Sequence, residues 1–175
     1  MQNRVYENID GAVYVTDTAD IYRLFDGRLT YAKAGAVLHT LRYLIDNDSL
    51  FFPALRTYLE THAFSTATTA DLKEVLTQYV RKDLLDTFFR QWVYGEGYPH
   101  FELRWNQVNG RVVAHLRQGV TFPASVPLFT VPVEIRFNGR NSDTLIRVDM
   151  DRPDLIWSFS WDKDVVGAEV DPDRW

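Results

Sequence analysis

Histidine and acidic side chains are the main candidates for metal ligands in this 175-residue sequence, because it contains no cysteine. A catalytic zinc site needs three protein ligands held close together, and a helical site places two histidines four positions apart. The four histidines are residues 39, 62, 100 and 115, and no two of them are closer than fifteen positions along the chain. This spacing does not predict zinc binding. We expect His39 and His62 to lie on polar faces or to cap helices.

Three aspartates close together in the sequence could supply the oxygen ligands that calcium prefers. Asp149, Asp151 and Asp154 form a D-x-D-x-x-D pattern, but the glycine and the late glutamate of an EF-hand loop are missing. The pattern is more typical of solvated carboxylates in a loop that ends a strand. A calcium-stabilised sandwich of the kind used in adhesion is the alternative.

Tyr31 is the residue whose predicted position, at the start of a helix, could give it a catalytic role. It follows Thr30, the expected N-cap of a helix, so its phenol would be carried at the positive end of the helix dipole. A hydroxyl there could donate a hydrogen bond to a developing oxyanion, although a first-turn tyrosine is usually an amphipathic surface anchor. No G-x-S-x-G elbow and no phosphate-cradling glycine loop accompanies it. Residue types and spacing alone therefore define no complete active site.

The first half of the chain has the periodicity of amphipathic helices, with apolar residues recurring every three or four positions. Four helices are predicted, over about residues 31–45, 48–62, 68–80 and 84–94. Asp48 or Ser49 can cap the second helix, and Thr68 with Asp71 gives a capping signal for the third. Phe88, the following Phe89 and Trp92 are expected to face inward from the fourth helix. Short connections between the helices predict a compact helical unit.

The second half of the chain alternates apolar and polar residues with a period of two, which is typical of half-buried strands. Asn109 and Gly110 lie between two such stretches and predict a hairpin turn. Further strands are predicted over residues 130–137, 144–149, 156–161 and 165–170. This spacing favours an antiparallel β-sandwich. The predicted fold class is α+β, with a helical bundle over residues 1–99 followed by a sandwich over residues 100–175.

Charge and hydropathy exclude two classes of partner. The chain has 19 lysines and arginines against 24 acidic residues, a net charge of −5, and it contains no basic run that would neutralise phosphates. The longest apolar stretch, over residues 50–55, is far shorter than the roughly 18 residues needed to cross a bilayer. We therefore expect neither nucleic-acid binding nor a membrane span.

Several motifs follow one another in the first half of the chain. Residues 31–42, YAKAGAVLHTLR, resemble the Y-x-K-G-A-x-V-L-x-x-L-R segment of M1-family zinc aminopeptidases, with Ala34 where the family usually has glycine. Residues 51–58 resemble the next helix of the family, and residues 67–72, ATTADL, resemble the entry to the helix after it. Residues 88–99 match its F-F-x-Q-W exit followed by G-y-P. The resemblance covers about residues 14–99.

The resemblance implies a thermolysin-like catalytic domain whose zinc is bound by a His-Glu-x-x-His helix and a later glutamate. Neither these ligands nor the family's G-x-M-E-N loop is present in this sequence. We therefore expect the chain to be part of a longer zinc enzyme, with Met1 serving only as a start codon, and to be inactive and zinc-free alone. Its partners would be a peptide substrate and the remainder of the catalytic domain.

By this resemblance, Tyr31 is the catalytic tyrosine whose phenol hydrogen-bonds the tetrahedral oxyanion formed from the first peptide bond. Lys33 and Arg42 are expected to be structural, pairing with carboxylates or covering the helix face. Trp92, Tyr94 and Tyr98 are expected to seal the helical unit against the sandwich. Similar relatives suggest a bacterial cell-envelope or secreted location. The alternative function is a non-catalytic binding or scaffold module built on the sandwich or on a helical groove.

Overall fold

The secondary structure changes from helices to strands between Gly97 and Tyr98, where the chain divides into two compact units. The computed structural model describes residues 8–175. The first unit contains every helix of the described residues, and the second contains every strand. The α+β class expected from the sequence is confirmed. No helix in residues 8–175 combines the length and the apolar character that crossing a membrane requires.

Residues 8–97 of the first unit contain five α-helices and two π-helical segments. In chain order they are α1 (Ile21–Leu24), the first π-helical segment (Gly27–Lys33), α2 (Ala34–Ile45), α3 (Asp48–Thr61), α4 (Thr69–Leu76), α5 (Lys82–Phe88) and the second π-helical segment (Phe89–Val93). Each π-helical segment is continuous with an α-helix: the first runs into α2, and the second extends α5. The two helices predicted over residues 31–45 and 84–94 therefore each combine α-helical and π-helical turns.

The helix that carries Tyr31 begins one turn earlier than the apolar spacing predicts. The carboxylate of Asp26 accepts hydrogen bonds from the backbone N–H groups of Arg28, at 2.8 Å, and Leu29, at 2.5 Å. Asp26 is therefore the N-cap. The expectation that Thr30 caps this helix is wrong, because Thr30 lies inside the π-helical segment. Its hydroxyl donates to the carbonyl oxygen of Arg23 at 3.2 Å instead.

The starts of α3 and α4 follow local capping chemistry. The side chain of Asn47 accepts a hydrogen bond from the backbone N–H of Ser49 at 3.0 Å, so the cap of α3 is Asn47 and neither Asp48 nor Ser49. Thr68 and Asp71 form the expected capping box at the start of α4. That helix ends at Leu76, earlier than predicted, and residues 77–80 continue it only as turns.

The core of the first unit is made by apolar side chains from α2 to the second π-helical segment. Its buried members are Val37, Leu41, Phe51, Ala54, Leu76, Leu85, Phe88, Phe89 and Val93. Phe88 and Phe89 face inward as expected, whereas Trp92 is only partly buried and stacks on the ring of Phe88. This core fixes the inner face of α2, so the residues on the opposite side of that helix reach the surface.

Six antiparallel strands form the second unit. They are β1 (Pro99–Val108), β2 (Arg111–Val120), β3 (Val131–Gly139), β4 (Asp143–Met150), β5 (Asp154–Ser160) and β6 (Val165–Val170). One three-stranded sheet has the order β1-β2-β5 and the other β4-β3-β6. Asn109 and Gly110 join β1 to β2 with φ values of 50° and 72°, the left-handed conformation that a two-residue hairpin turn requires.

The core of the second unit lies between the two sheets. Residues 112, 114 and 116 of β2 and residues 133, 135 and 137 of β3 are buried, with Phe137 in ring contact with Phe159 of β5. The buried side chain of Gln118 bonds the backbone of Phe129, donating to its carbonyl oxygen at 2.9 Å and accepting from its N–H at 2.7 Å. Gln118 therefore satisfies backbone groups that no strand pairing satisfies.

Replacing Gln118 should destabilise the second unit. In Gln118→Ala, the N–H and carbonyl groups of Phe129 lose their buried partner, which we expect to cost roughly 2–3 kcal/mol. The exposed neighbour Arg117 provides the matched control, and Arg117→Ala should change stability by less than about 0.5 kcal/mol. Urea denaturation of both variants measures the difference. Equal stabilities would contradict this role for Gln118.

Candidate functional site

Tyr31 lies at the surface of the first unit, on the first π-helical segment. Its side chain is 56% exposed. Within residues 8–175 its hydroxyl has no hydrogen-bond partner and its ring has no aromatic contact. No group in residues 8–175 therefore competes for the hydrogen bond that the phenol can donate.

The cap at Asp26 places Tyr31 after the first turn of its helix, where the helix dipole no longer acts strongly. Because the helical turns begin at Gly27, Tyr31 is the fifth residue of the π-helical segment and not the first residue of a helix. The partial positive charge of a helix N-terminus falls off within the first turn. Any chemical role of Tyr31 therefore depends on its exposure and not on the helix dipole.

Lys33 lies two residues after Tyr31 but faces inward. It is 5% exposed, and its ammonium donates a hydrogen bond to the carbonyl oxygen of Gly11 at 2.6 Å. Burial lowers the pKa of Lys33 to about 8, and the positive charge of Arg28 lowers it further, against the opposing effect of Glu96. The sequence predicts that Lys33 pairs with a carboxylate or covers the helix surface. That expectation is wrong, because Lys33 is buried and its ammonium bonds a backbone carbonyl oxygen.

Residues 8–14 form an irregular segment whose backbone carbonyls are bound by basic side chains. Arg28 donates to the carbonyl oxygens of residues 8 and 10 and pairs with the carboxylate of Asp10 at 3.1 Å. Arg23 donates to the carbonyl oxygens of residues 12, 13 and 14, with the shortest bond, 2.6 Å, to residue 12. Together with Lys33, these side chains hold the 8–14 segment against the helix that carries Tyr31.

The 8–14 segment is also tied to the end of the first unit. The backbone N–H of Gly11 donates to the carboxylate of Glu96 at 2.8 Å, and that of Tyr14 donates to the carbonyl oxygen of Val93 at 3.0 Å. The ring of Tyr14 contacts the ring of Tyr94 edge-on, with centroids 4.9 Å apart. The segment therefore joins the first helical turns to the last.

Arg42 has the structural role expected from the sequence. Its guanidinium makes two hydrogen bonds of 2.7 Å to the carboxylate of Asp48 and lies over the ring of Phe52, 5.1 Å from the centroid. The hydrogen bond raises the pKa of Arg42 and lowers that of Asp48. The pair links the end of α2 to the start of α3.

The described residues do not form a metal site. In residues 8–175 no three histidine or carboxylate side chains approach one another closely enough to hold an ion. Two aspartates of the cluster considered for calcium form separate pairs with other side chains. Asp151 pairs with Arg152 at 2.7 Å, and Asp154 pairs with His115 at 2.8 Å. His62 is the C-cap of α3, a position that was expected. These side chains do not fit a bound zinc ion.

Residues 3–92 match the model of the Peptidase family M1 domain, which is just over half of the chain. The chain belongs to peptidase family M1. The resemblance inferred from the 31–42 segment and the motifs after it is confirmed.

Two relatives of this M1 chain share about a third of the aligned residues. Aminopeptidase N of Lactococcus lactis subsp. lactis is 32% identical over 85 residues, which are 49% of this chain and 10% of that protein. Aminopeptidase N of Lactobacillus delbrueckii subsp. lactis is 34% identical over 88 residues, with coverages of 50% and 10%. The M1 chain thus spans about a tenth of the length of these relatives.

A solved structure has the same fold. Aminopeptidase A of Legionella pneumophila, solved in complex with aspartic acid, superimposes with a TM-score of 0.60 at 16% identity. The match covers 87% of the M1 chain, and therefore includes strands as well as helices, but only 18% of the Legionella chain. It shows a shared arrangement of helices followed by antiparallel sheets.

The buried role of Lys33 is the feature of the site that sequence reasoning missed. A signal was present, because Lys33 lies four positions after Leu29 and four before Val37, and both of those residues are buried. Helical spacing therefore places the lysine on the apolar face. Its partner Gly11, 22 positions earlier, could not be deduced from that spacing.

Lys33 should give the first unit a distinctive alkaline pH dependence. The folded chain releases the Lys33 proton near pH 8, whereas the unfolded chain keeps it to about pH 10.5. Because the unfolded state binds more protons in this window, the free energy of unfolding rises with pH there, by at most about 3 kcal/mol.

Urea denaturation followed by the helical circular-dichroism signal, compared between the wild type and Lys33→Met, measures this dependence. The stability of the wild type relative to the variant should increase as the pH is raised from about 8 to about 10.5. The difference between the two proteins isolates Lys33 from other groups that titrate there. A difference that stays constant or shrinks with pH would contradict the assignment.

Proposed function

We propose that this chain is one part of a zinc-dependent aminopeptidase, which removes N-terminal residues from peptides, and that it is inactive alone. Residues 1–99 would be the C-terminal helical part of the catalytic domain, and residues 100–175 the β-sandwich domain that follows it. The chain would supply one wall of the substrate cleft and the hydrogen-bond donor Tyr31. The peptide substrate and the rest of the catalytic domain would be its partners.

One observation carries the proposal: Tyr31, which by motif resemblance corresponds to the catalytic tyrosine of the family, is 56% exposed, and its hydroxyl has no partner in residues 8–175. A phenol buried in the core or bonded within the chain would be unable to reach a substrate. Curated relatives that share about a third of the aligned residues are named aminopeptidase N, which supports peptide hydrolysis as the reaction.

The chemistry proposed for Tyr31 is electrostatic. When water attacks the carbonyl carbon of the first peptide bond, negative charge develops on the carbonyl oxygen. A phenol O–H positioned beside that oxygen donates a hydrogen bond that is stronger in the transition state than in the bound substrate, so it lowers the barrier. The exposed position of Tyr31 supports this role, because the phenol has no partner in residues 8–175 whose hydrogen bond it would have to give up.

The zinc ion of such an enzyme would have to be bound elsewhere. The described residues do not fit a metal, so we assign no zinc ligand and derive no step through zinc in this chain. The chain spans only about a tenth of the related aminopeptidases, which leaves ample length for a metal site in the remaining nine-tenths of such an enzyme.

Substitution of Tyr31 tests the proposed role in the longer polypeptide. In that enzyme, Tyr31→Phe removes only the hydroxyl, and we expect kcat to fall by about 10²–10³-fold. Zinc content, measured by plasma mass spectrometry, should not change. Tyr22 is 92% exposed and provides the matched control, so Tyr22→Phe should keep normal turnover. Near-normal kcat for Tyr31→Phe would reject the role.

The isolated chain provides a second test. Purified residues 1–175 should not hydrolyse amino-acid p-nitroanilides above the buffer rate, with or without added zinc, and should contain less than stoichiometric zinc after dialysis. Turnover with stoichiometric zinc would contradict the proposal that the metal ligands lie elsewhere. Specific binding of a protein or glycan by a longer polypeptide that lacks peptidase activity would instead favour the binding-module alternative.

A further inference from the structure

The backbone around Tyr31 has an unusual conformation that other parts of the chain must maintain. The segment Gly27–Lys33 is π-helical, and the backbone N–H of Ala34 reaches back to the carbonyl oxygen of Leu29, five residues earlier. Such wide turns are rare and are stable only where the surrounding structure holds them. Because the Tyr31 side chain has no bond of its own in residues 8–175, whatever holds this backbone also sets the position of the phenol.

The 8–14 segment is the part of the chain that lies against these turns. Gly11 has a φ of 87°, and a Cβ atom at this position would lie 2.7 Å from the Leu29 Cδ1 atom. Only glycine allows both this conformation and this close approach. Leu29 is itself buried within the π-helical segment, so the backbone of Gly11 lies directly on the turns that carry Tyr31.

We propose that Lys33 is a positioning residue for Tyr31, which it fixes by bonding the π-helical segment to the carbonyl oxygen of Gly11. This inference rests on the proposed function of Tyr31. Lys33 is the only residue of Gly27–Lys33 that is both buried and cationic, and its 2.6 Å bond to the Gly11 carbonyl oxygen anchors the C-terminal end of the segment. The N-cap Asp26 anchors the N-terminal end. Lys33 would touch no substrate atom and would act only through the phenol.

Charges of both signs act on the buried ammonium of Lys33, whose pKa of about 8 keeps it protonated at neutral pH. Arg28 and Arg23 act against its charge, and Glu96 and Asp10 favour it. Glu96 also accepts a hydrogen bond from the N–H of Gly11, so the two peptide groups that flank the Gly11 Cα atom are bound by side chains of opposite charge. A charge-assisted bond to each of these neighbouring peptide groups restricts the backbone of Gly11.

A double-mutant cycle in the longer peptidase tests the inference. Lys33→Met should lower kcat by roughly ten- to a hundredfold with KM nearly unchanged, because a small misplacement of a catalytic group is costly. In the Tyr31→Phe background, Lys33→Met should lower kcat no further. Lys33→Arg, which keeps a cationic donor, should restore part of the loss. Lys82 is exposed, and Lys82→Met is the matched lysine control with normal kcat.

Equal losses from Lys33→Met in both backgrounds would overturn the inference, since the lysine would then act independently of the phenol. Normal kcat in Tyr31→Phe is a different result, because it rejects the proposed function of Tyr31. The positioning claim is then decided by a measurement that needs no activity. Backbone NMR order parameters of residues 1–175 should fall at Tyr31 and Gly11 in Lys33→Met and stay unchanged in α3.

A second variant covers the case in which Lys33→Met does not fold. Gly11→Ala leaves Lys33 in place but forces a Cβ atom against Leu29, so it should displace the carbonyl that Lys33 binds. It should lower the order parameter of Tyr31, 20 positions away in sequence, and reduce kcat only when the hydroxyl of Tyr31 is present. An unchanged order parameter at Tyr31 in a folded variant of either position would overturn the proposal.

Discussion

The bond between the Lys33 ammonium and the Gly11 carbonyl is the contact on which the proposed position of Tyr31 depends. It joins an irregular segment of the chain to the helical turns that carry Tyr31, and the lysine that makes it is buried. Two arginines repeat the same interaction along the segment, each donating to backbone carbonyls that belong to no helix or strand. Backbone carbonyls outside helices and strands need other donors, and here long basic side chains provide them. The turns that carry the exposed Tyr31 are thereby tied to the rest of the first unit.

Much of the fold follows from local chemistry and was predictable from the sequence. The Asn109–Gly110 turn allows the left-handed backbone of a tight hairpin, and Thr68 with Asp71 forms the capping box that starts α4. Alternating strands and helical periodicity predicted an α+β chain because each pattern buries one face of its element. These features depend on residues within a few positions of one another.

The parts that the sequence did not predict depend on contacts between distant residues. Threonine is a common N-cap residue, but the segment that contains Thr30 is already capped by Asp26. The hydroxyl of Thr30 instead accepts a hydrogen bond from Arg23, seven positions earlier, which the local sequence does not predict. Lys33 is expected from the sequence to pair with a carboxylate or to cover the helix face. Its burial requires Gly11, whose close approach to Leu29 is a matter of tertiary structure. The role of Tyr31 came from family resemblance, since spacing alone left it open.

The central claim is that the Tyr31 hydroxyl stabilises the oxyanion formed during peptide hydrolysis. The most direct test is a crystal structure of the longer peptidase with a phosphinic peptide, whose tetrahedral phosphorus centre resembles the attacked carbonyl. The claim requires the Tyr31 Oη atom to lie about 2.5–3.0 Å from a phosphinyl oxygen, the range of an O–H···O hydrogen bond. A separation of more than about 4 Å, with the inhibitor bound elsewhere or the phenol turned away, would contradict it.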